Sequence, residues 1–375
     1  MISFNKPYLS GKELQYIGEA VSSMKISGDG AFTKKCHSFF ETKYGFGKCL
    51  LTTSCTDALE MAALLIDIQE GDEIIMPSYT FVSTANAFVL RGAKIVFADS
   101  EDNHPNMDAS KLAGLITPKT KAIVPVHYAG IACDMDSIME LAKAHNLYVI
   151  EDAAQSIDSY YKGKPLGSFG HFATFSFHET KNIIAGEGGM LVINDKAFYD
   201  RAEIIREKGT NRSSFFRGEV DKYGWVDIGS SFLPSDMIAA FLFAQLENLE
   251  DIQKKRISIW NAYYRGIKEL ESNGHLSIPR YSADKTNNAH MFCIVLNSIK
   301  ERTALIQYLK ANEIYAVFHY LSLHKSPFYS KLHDGRPLPN ADKFENCLLR
   351  LPIYYELKES EVEYILSTLK AFFQK

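Results

Sequence analysis

No apolar run in this 375-residue chain approaches the roughly 20 residues that a bilayer-spanning helix needs. The opening stretch MISFNKPYLSGKEL has no basic segment followed by an apolar one, so no secretory leader is expected. Cysteine is sparse. The six residues Cys36, Cys49, Cys55, Cys133, Cys293 and Cys347 are scattered and form no C-x-x-C pair. That argues against a zinc ribbon or a disulfide scaffold and leaves free thiols in a reducing cytoplasm as the expectation. There is no basic tract either. Lys and Arg total 41 against 45 Asp and Glu, a net charge of −4. Nucleic acid and anionic membrane are therefore poor candidates for the main partner. Repeats and low-complexity segments are absent. What remains is globular: 46% hydrophobic and 23% charged residues exclude disorder as the main state. The length predicts two domains, or one large domain with an appendage.

Short Ile- and Val-rich runs alternate with helix-like stretches through the first half. Glu73–Met76, Lys94–Ala98, Ala122–Val126 and Leu147–Ile150 read as buried strands. Asp57–Ile66, Ser83–Leu90, Asp108–Ile116 and Met135–His145 read as helices between or beside them. This alternation predicts an α/β fold with a mainly parallel sheet covered on both faces. Ala173–Phe177 and Met190–Ile193 add two strands, and residues 197–206 add a helix. Residues 209–231 form a long polar and aromatic loop, a length that points to function or an interface. One or two long helices over 235–270 lead to a smaller α+β portion with a strand at Met291–Leu296, a helix at Thr303–Asn312 and a closing helix at Glu359–Phe373.

Four places carry candidate chemistry. The run Val149-Ile150-Glu151-Asp152-Ala153-Ala154-Gln155 brings a carboxylate to the carboxyl end of a strand, where open α/β sheets bind ligands. In Phe175-Ser176-Phe177-His178-Glu179-Thr180-Lys181-Asn182, a lysine stands just past a strand and can reach the same crevice. A desolvated lysine there is an amine nucleophile toward carbonyls. Thr52-Thr53-Ser54-Cys55-Thr56 places hydroxyls before a helix whose first amides can bind phosphate. Phe81, in Pro77-Ser78-Tyr79-Thr80-Phe81, can stack on a planar ring. Taken singly, each has a plainer reading: Asp152 as a helix cap, Lys181 as a solvated lysine, the hydroxyls as an ordinary cap, Phe81 as core. Taken together and in this order, they describe a site for pyridoxal 5′-phosphate, with Ser176 adding a hydroxyl to the phosphate.

These residues resemble the degT/strS-type sugar aminotransferases, which are fold-type I pyridoxal-phosphate enzymes. The resemblance includes Gly186-Glu187-Gly188-Gly189, Ala239-Ala240 and Gln245-Leu246, and it runs over essentially the whole chain. It implies a large cofactor domain over 1–250 and a small α+β C-terminal domain over 251–375. Lys181 would be bonded covalently to the cofactor and would then move protons. Asp152 would hold the pyridine nitrogen, Gln155 would approach the ring, Phe81 would stack on it, and Cys55 and Thr56 amides with Ser176 would bind the phosphate. Many members have Gly where Cys55 stands, so Cys55 must adopt a φ that a side chain tolerates. Many also bring an Asn from a partner subunit to the phosphate. Here Ile228-Gly229-Ser230-Ser231-Phe232 offers Ser231.

The resemblance further implies a homodimer with sites at its interface and ping-pong amination from L-glutamate. The acceptor would be C4 of a nucleotide-linked 4-keto-6-deoxyhexose, with TDP as the nucleotide. His319, Tyr320, Tyr223 and Trp225 are the expected sugar-nucleotide contacts. No metal is expected.

Overall fold

A computed structural model describes residues 1–374. Among the described residues there are thirteen strands: β1 (Lys48–Thr52), β2 (Glu73–Pro77), β3 (Lys94–Ala98), β4 (Thr120–Ile123), β5 (Tyr148–Asp152), β6 (Tyr160–Tyr161), β7 (Lys164–Pro165), β8 (Phe172–Ser176), β9 (Gly189–Ile193), β10 (Leu276–Ser277), β11 (Phe292–Leu296), β12 (Val317–Phe318) and β13 (Leu348–Leu351). Seven of them build one sheet in the order β1-β9-β8-β5-β4-β2-β3. The five strands from β8 to β3 in that order pair parallel, whereas β9 runs antiparallel to both its neighbours. The fold is α/β with a mostly parallel sheet between helices, as the alternation predicts.

The central strands are buried on both faces, which explains their unbroken Ile and Val runs. On β2, Ile74 and Met76 face one core cluster and Ile75 faces another. Val149 and Ile150 on β5 split in the same way. Two expectations shift. The strand expected over 122–126 ends at Ile123, and Val126 rejoins the sheet only through a single bridge to Asp152. Pro125 has no amide hydrogen and cannot continue the ladder. The helix expected over 108–116 is a 3₁₀ turn, Ala109–Leu115, with Leu112 its one buried side chain.

The second sheet, β10-β11-β13-β12, is antiparallel throughout. It shares a core with the helices Leu249–Gly266 and Glu359–Phe373. Ile2 bridges to Ile314, so the N-terminal strap joins this second core. On β11, Phe292 and Ile294 face that core, while Cys293 and Val295, with Met291 just before the strand, face the cluster of the large sheet. The small sheet therefore packs one face against the core of the large sheet. Among the described residues no helix is long and apolar enough to cross a membrane.

Candidate active site

Strand direction gathers the candidates. β1, β2, β5 and β8 all end on one edge of the large sheet, at Thr52, Pro77, Asp152 and Ser176. β9 begins on that edge at Gly189, between β1 and β8. Lys181 stands in the β8–β9 connection, held where its amide donates to the His178 carbonyl at 2.9 Å.

The helix Cys55–Leu65 starts beside this edge. Ser54 caps it, accepting from the Asp57 amide at 3.0 Å. The Thr53 hydroxyl also bonds Asp57. The amides of Cys55 and Thr56 donate to nothing among the described residues, so the free helix terminus points outward as an anion site. Cys55 is the first helical residue and is not one of the positive-φ positions, so its side chain is tolerated where glycine is common. Gly189 is required for a different reason. A Cβ there would sit 2.3 Å from the Ser54 carbonyl carbon and 2.4 Å from the Cys55 amide nitrogen. Its bare Cα lets the helix terminus press against the sheet next to Ser176, its partner in register.

Asp152 is not a helix cap. It is the last residue of β5, 5% exposed. Thr84 donates to Oδ2 at 2.7 Å and the Ala154 amide to Oδ1 at 3.2 Å. Burial raises the Asp152 pKa above the usual carboxylate range. The Thr84 hydroxyl, the Ala154 amide and the charge of Lys181 work against that rise. Lys181 shifts the opposite way, since burial lowers its pKa, opposed by Cys55 and Asp152. Its ammonium group makes no hydrogen bond or ion pair among the described residues. Behind the edge, Glu151 and His127 are fully buried and paired at 3.0 Å. The Cys133 amide donates to His127 Nδ1, so the proton is on Nε2 and is donated to Glu151. Three further amides, of Gly167, Phe169 and Gly170, complete the two Glu151 oxygens.

Gln155 and Tyr320 link the large-sheet and small-sheet portions. The Gln155 oxygen accepts from the Ala129 amide at 2.6 Å, and its nitrogen donates to the Tyr320 hydroxyl at 2.9 Å. Tyr320 has φ +45°, the left-handed region, which is strained for a bulky aromatic and is characteristic of functional positions. Its ring stacks on His319 at 3.5 Å between centroids and lies 6.1 Å from Phe81, which is 54% exposed. His319 is buried and bonded through Nδ1 to the Tyr128 hydroxyl at 2.8 Å. Burial, with the nearby charges of Arg350 and Lys181, keeps that imidazole neutral.

The structure thus brings together Lys181, Asp152, Gln155, Ser176, Cys55, Thr56, Phe81, His319 and Tyr320. It does not bring Tyr223, Trp225 or Ser231 to them within one chain. All three are exposed on the 209–231 loop, with Trp225 at 85%. Their recorded contacts are local: Trp225 donates to the Asp227 carbonyl, Tyr223 packs on Phe215, and Ser231 bridges to Glu207. Sequence reasoning passed over Thr84, Tyr128 and Arg350. No local pattern points from a helix threonine to a carboxylate 68 positions later. A lone Arg in Leu348-Leu349-Arg350-Leu351 does break a buried strand run, and that was the available signal.

Comparison with known proteins follows the same lines. The sequence model of the DegT/DnrJ/EryC1/StrS aminotransferase family matches residues 7–370. GDP-perosamine synthase of Escherichia coli O157:H7 is 34% identical over 371 residues, covering 98% of this chain and 97% of that protein. Among solved structures, the aminotransferase TlmJ from Streptoalloteichus hindustanus has a TM-score of 0.91 at 28% identity, covering 100% of this chain and 99% of that one. Spr1654 of Streptococcus pneumoniae, described as a sugar aminotransferase and solved in its PMP form, has a TM-score of 0.92 at 26% identity, with 100% and 99% coverage.

Proposed function

Because the chain belongs to the DegT/DnrJ/EryC1/StrS aminotransferase family and is a pyridoxal-phosphate-dependent sugar aminotransferase, we propose that it transfers an amino group from L-glutamate to C4 of TDP-4-keto-6-deoxyglucose, giving TDP-4-amino-4,6-dideoxygalactose. The sugar assignment rests on long stretches of sequence. Met76–Gly92, Val124–Gly130, Phe177–Asn182, Ile204–Asn211 and Ala316–Tyr320 resemble the transaminase that forms this sugar for the enterobacterial common antigen.

The cofactor roles rest on one observation. An unpaired lysine amine, a buried carboxylate and two unused helix amides converge on one sheet edge, with Gly189 keeping the approach open. Those residues fit pyridoxal phosphate. The Cys55 and Thr56 amides and the Ser176 hydroxyl hold its phosphate, Asp152 pairs with the ring nitrogen, and Phe81 and Gln155 bound the ring. When bound, the cofactor supplies a conjugated ring that accepts the electron pair released as a C–H bond breaks. Thr84 and the Ala154 amide favour the carboxylate form of Asp152, against the burial that disfavours it. The lowered proton affinity of Lys181 makes its neutral amine accessible, first as nucleophile and then as the base and acid that moves one proton between carbons. One lysine serves both halves of a ping-pong exchange, since donor and acceptor occupy the same place in turn.

The exposed loop 209–231 supports a homodimer. Phe216, Trp225 and Val226 are more than half exposed on it. In a dimer Ser231 of one copy reaches the phosphate of the other, and Tyr223 and Trp225 lie along the nucleotide.

The test is product analysis. Purified enzyme, L-glutamate and TDP-4-keto-6-deoxyglucose should give an axial 4-amine by NMR. An equatorial 4-amine or a 3-amine refutes the galacto assignment. The GDP-linked 4-keto sugar is the competing substrate, because the relative at 34% identity is named for a GDP sugar. Preference for it would refute the TDP assignment.

A further inference from the structure

Asn288 and His290, just before β11, stand where two cofactor-facing segments of the large sheet meet. The Asn288 side-chain nitrogen donates to the carbonyls of Gln155 and Ile157 at 2.8 Å each, in the segment that follows β5. Its Oδ1 accepts from the His290 amide at 3.0 Å. On the other side stands Asn182, the residue directly after Lys181. Its side-chain nitrogen donates to the Asn288 carbonyl and to Gln253 Oε1, 2.8 Å each. Both hydrogens are thereby used, so Oδ1 faces His290 Nδ1, 2.9 Å away, and accepts from it. Asn182, Gln253, Asn288 and His290 are all buried. Burial, with the nearby charges of Lys181 and Arg256, keeps the imidazole neutral, with its proton on Nδ1. The turn itself is held in place. Ala289 has φ +51°, in the left-handed region, which is strained for alanine. Arg256, buried on the helix Leu249–Gly266, donates to the carbonyls of Ala289 at 3.1 Å and His290 at 2.7 Å. Gly130 makes room, since a Cβ there would lie 2.1 Å from Asn288 Oδ1.

The polar ties of the β8–β9 connection are otherwise mostly its own. Glu179 donates to the Gly186 carbonyl, Lys181 to that of His178 and Ala185 to that of Phe177. Ile183 packs into the large-sheet core. The Asn182 side chain supplies the buried hydrogen bonds that reach beyond the connection. The Lys181 ammonium is unpaired, so its place beside the ring depends on where the backbone holds its Cα. A displacement of about 1 Å at a reacting group can cost about 100-fold in rate. We propose that His290 and Asn288 are positioning residues for the transfer reaction: through Asn182 and the Gln155 carbonyl they fix Lys181 and Gln155 to one turn, so that the amine and the ring contact keep their register in both half-reactions. His290 acts through Asn182, not by touching the cofactor. This deepens the proposed function and rests on the cofactor roles given there.

The test uses the whole chain, with and without cofactor. His290→Phe keeps a ring and removes the Nδ1 donor, whereas His290→Asn can return a donor to that place. Thermal unfolding of the cofactor-free proteins reads any cost to the fold. After pyridoxal phosphate is added, growth of the visible band reads how fast Lys181 bonds to it. In His290→Phe that rate should fall about tenfold. Conversion of the loaded enzyme by L-glutamate should fall about 10- to 100-fold in kcat per loaded site, with KM within about threefold of wild type. The isotope effect with α-deuterated glutamate should rise, because a misplaced lysine slows the proton transfer. His290→Asn should recover most of each loss. Asn182→Ser breaks the same bond from its other end and should give the same pattern, which carries the test if His290→Phe does not fold. The double variant should lose no more than the worse single one. A lowered thermal transition or cofactor content with unchanged kcat per loaded site and an unchanged isotope effect would overturn the proposal, as would a loss confined to KM. A wild type that forms no visible band, or that glutamate does not convert, instead refutes the cofactor reading itself.

Discussion

Replacing Thr84 with Val removes the strongest group that favours the ionised form of Asp152. The change is nearly isosteric and removes one hydroxyl, which lies 2.7 Å from Asp152 Oδ2 and 3.0 Å from the Thr80 hydroxyl. Burial raises the proton affinity of this carboxylate, and Thr84 is the first of the groups that oppose the rise. A hydrogen bond to a charged group contributes about 1.5–3 kcal/mol. The ionised form should be destabilised by that amount, and affinity for pyridoxal phosphate should fall roughly 10- to 100-fold at neutral pH.

The sign of the pH effect follows from linkage. Asp152 already has a raised pKa in the folded state, so its burial favours the protonated form and costs stability at pH above the unfolded carboxylate's pKa. Removing Thr84 raises it further. The acid limb of kcat/KM should move to higher pH. The stability deficit of the cofactor-free variant should be full at neutral pH and shrink as pH falls through the folded pKa. Cofactor titration by absorbance and a pH–rate profile read these effects. Wild-type cofactor affinity together with an unmoved acid limb would refute the reasoning.

Glu151→Gln should destabilise the fold by about 3–5 kcal/mol in urea unfolding, because an amide nitrogen would then face donors that Glu151 now accepts from on both oxygens. Gly189→Ala should displace the start of the helix Cys55–Leu65 and weaken cofactor binding at least tenfold, since its Cβ would lie 2.3–2.4 Å from the Ser54–Cys55 backbone. A smaller effect in an equilibrium titration contradicts the cradle described here. Phe216→Glu combined with Trp225→Glu should shift sedimentation toward monomer and abolish transfer, while each monomer keeps its thermal transition.

What could be read from sequence depended on how local the cause was. Lys94–Ala98 and Glu359–Phe373 occur where their patterns place them, because continuous burial and helical periodicity are written in neighbouring residues. β1 passed unread. Its residues Lys48–Thr52 form a strand by pairing with β9, some 140 positions later. The same long-range pairing makes β9 antiparallel in a sheet that otherwise reads as parallel. Asp152 and Lys181 stood out as polar residues at the ends of apolar strands, and the order of the motifs told them apart from a cap and a surface lysine. Thr84 was invisible for a physical reason. It acquires its meaning from an element far along the chain, and it is unremarkable among its neighbours.

The central claim is that Lys181 carries the cofactor. Holoenzyme treated with borohydride, digested and mapped by mass spectrometry tests it directly. The account predicts the loss of the visible band and a reduced cofactor adduct on the peptide containing Lys181. An adduct on another lysine, or full transfer activity in Lys181→Ala, would contradict it.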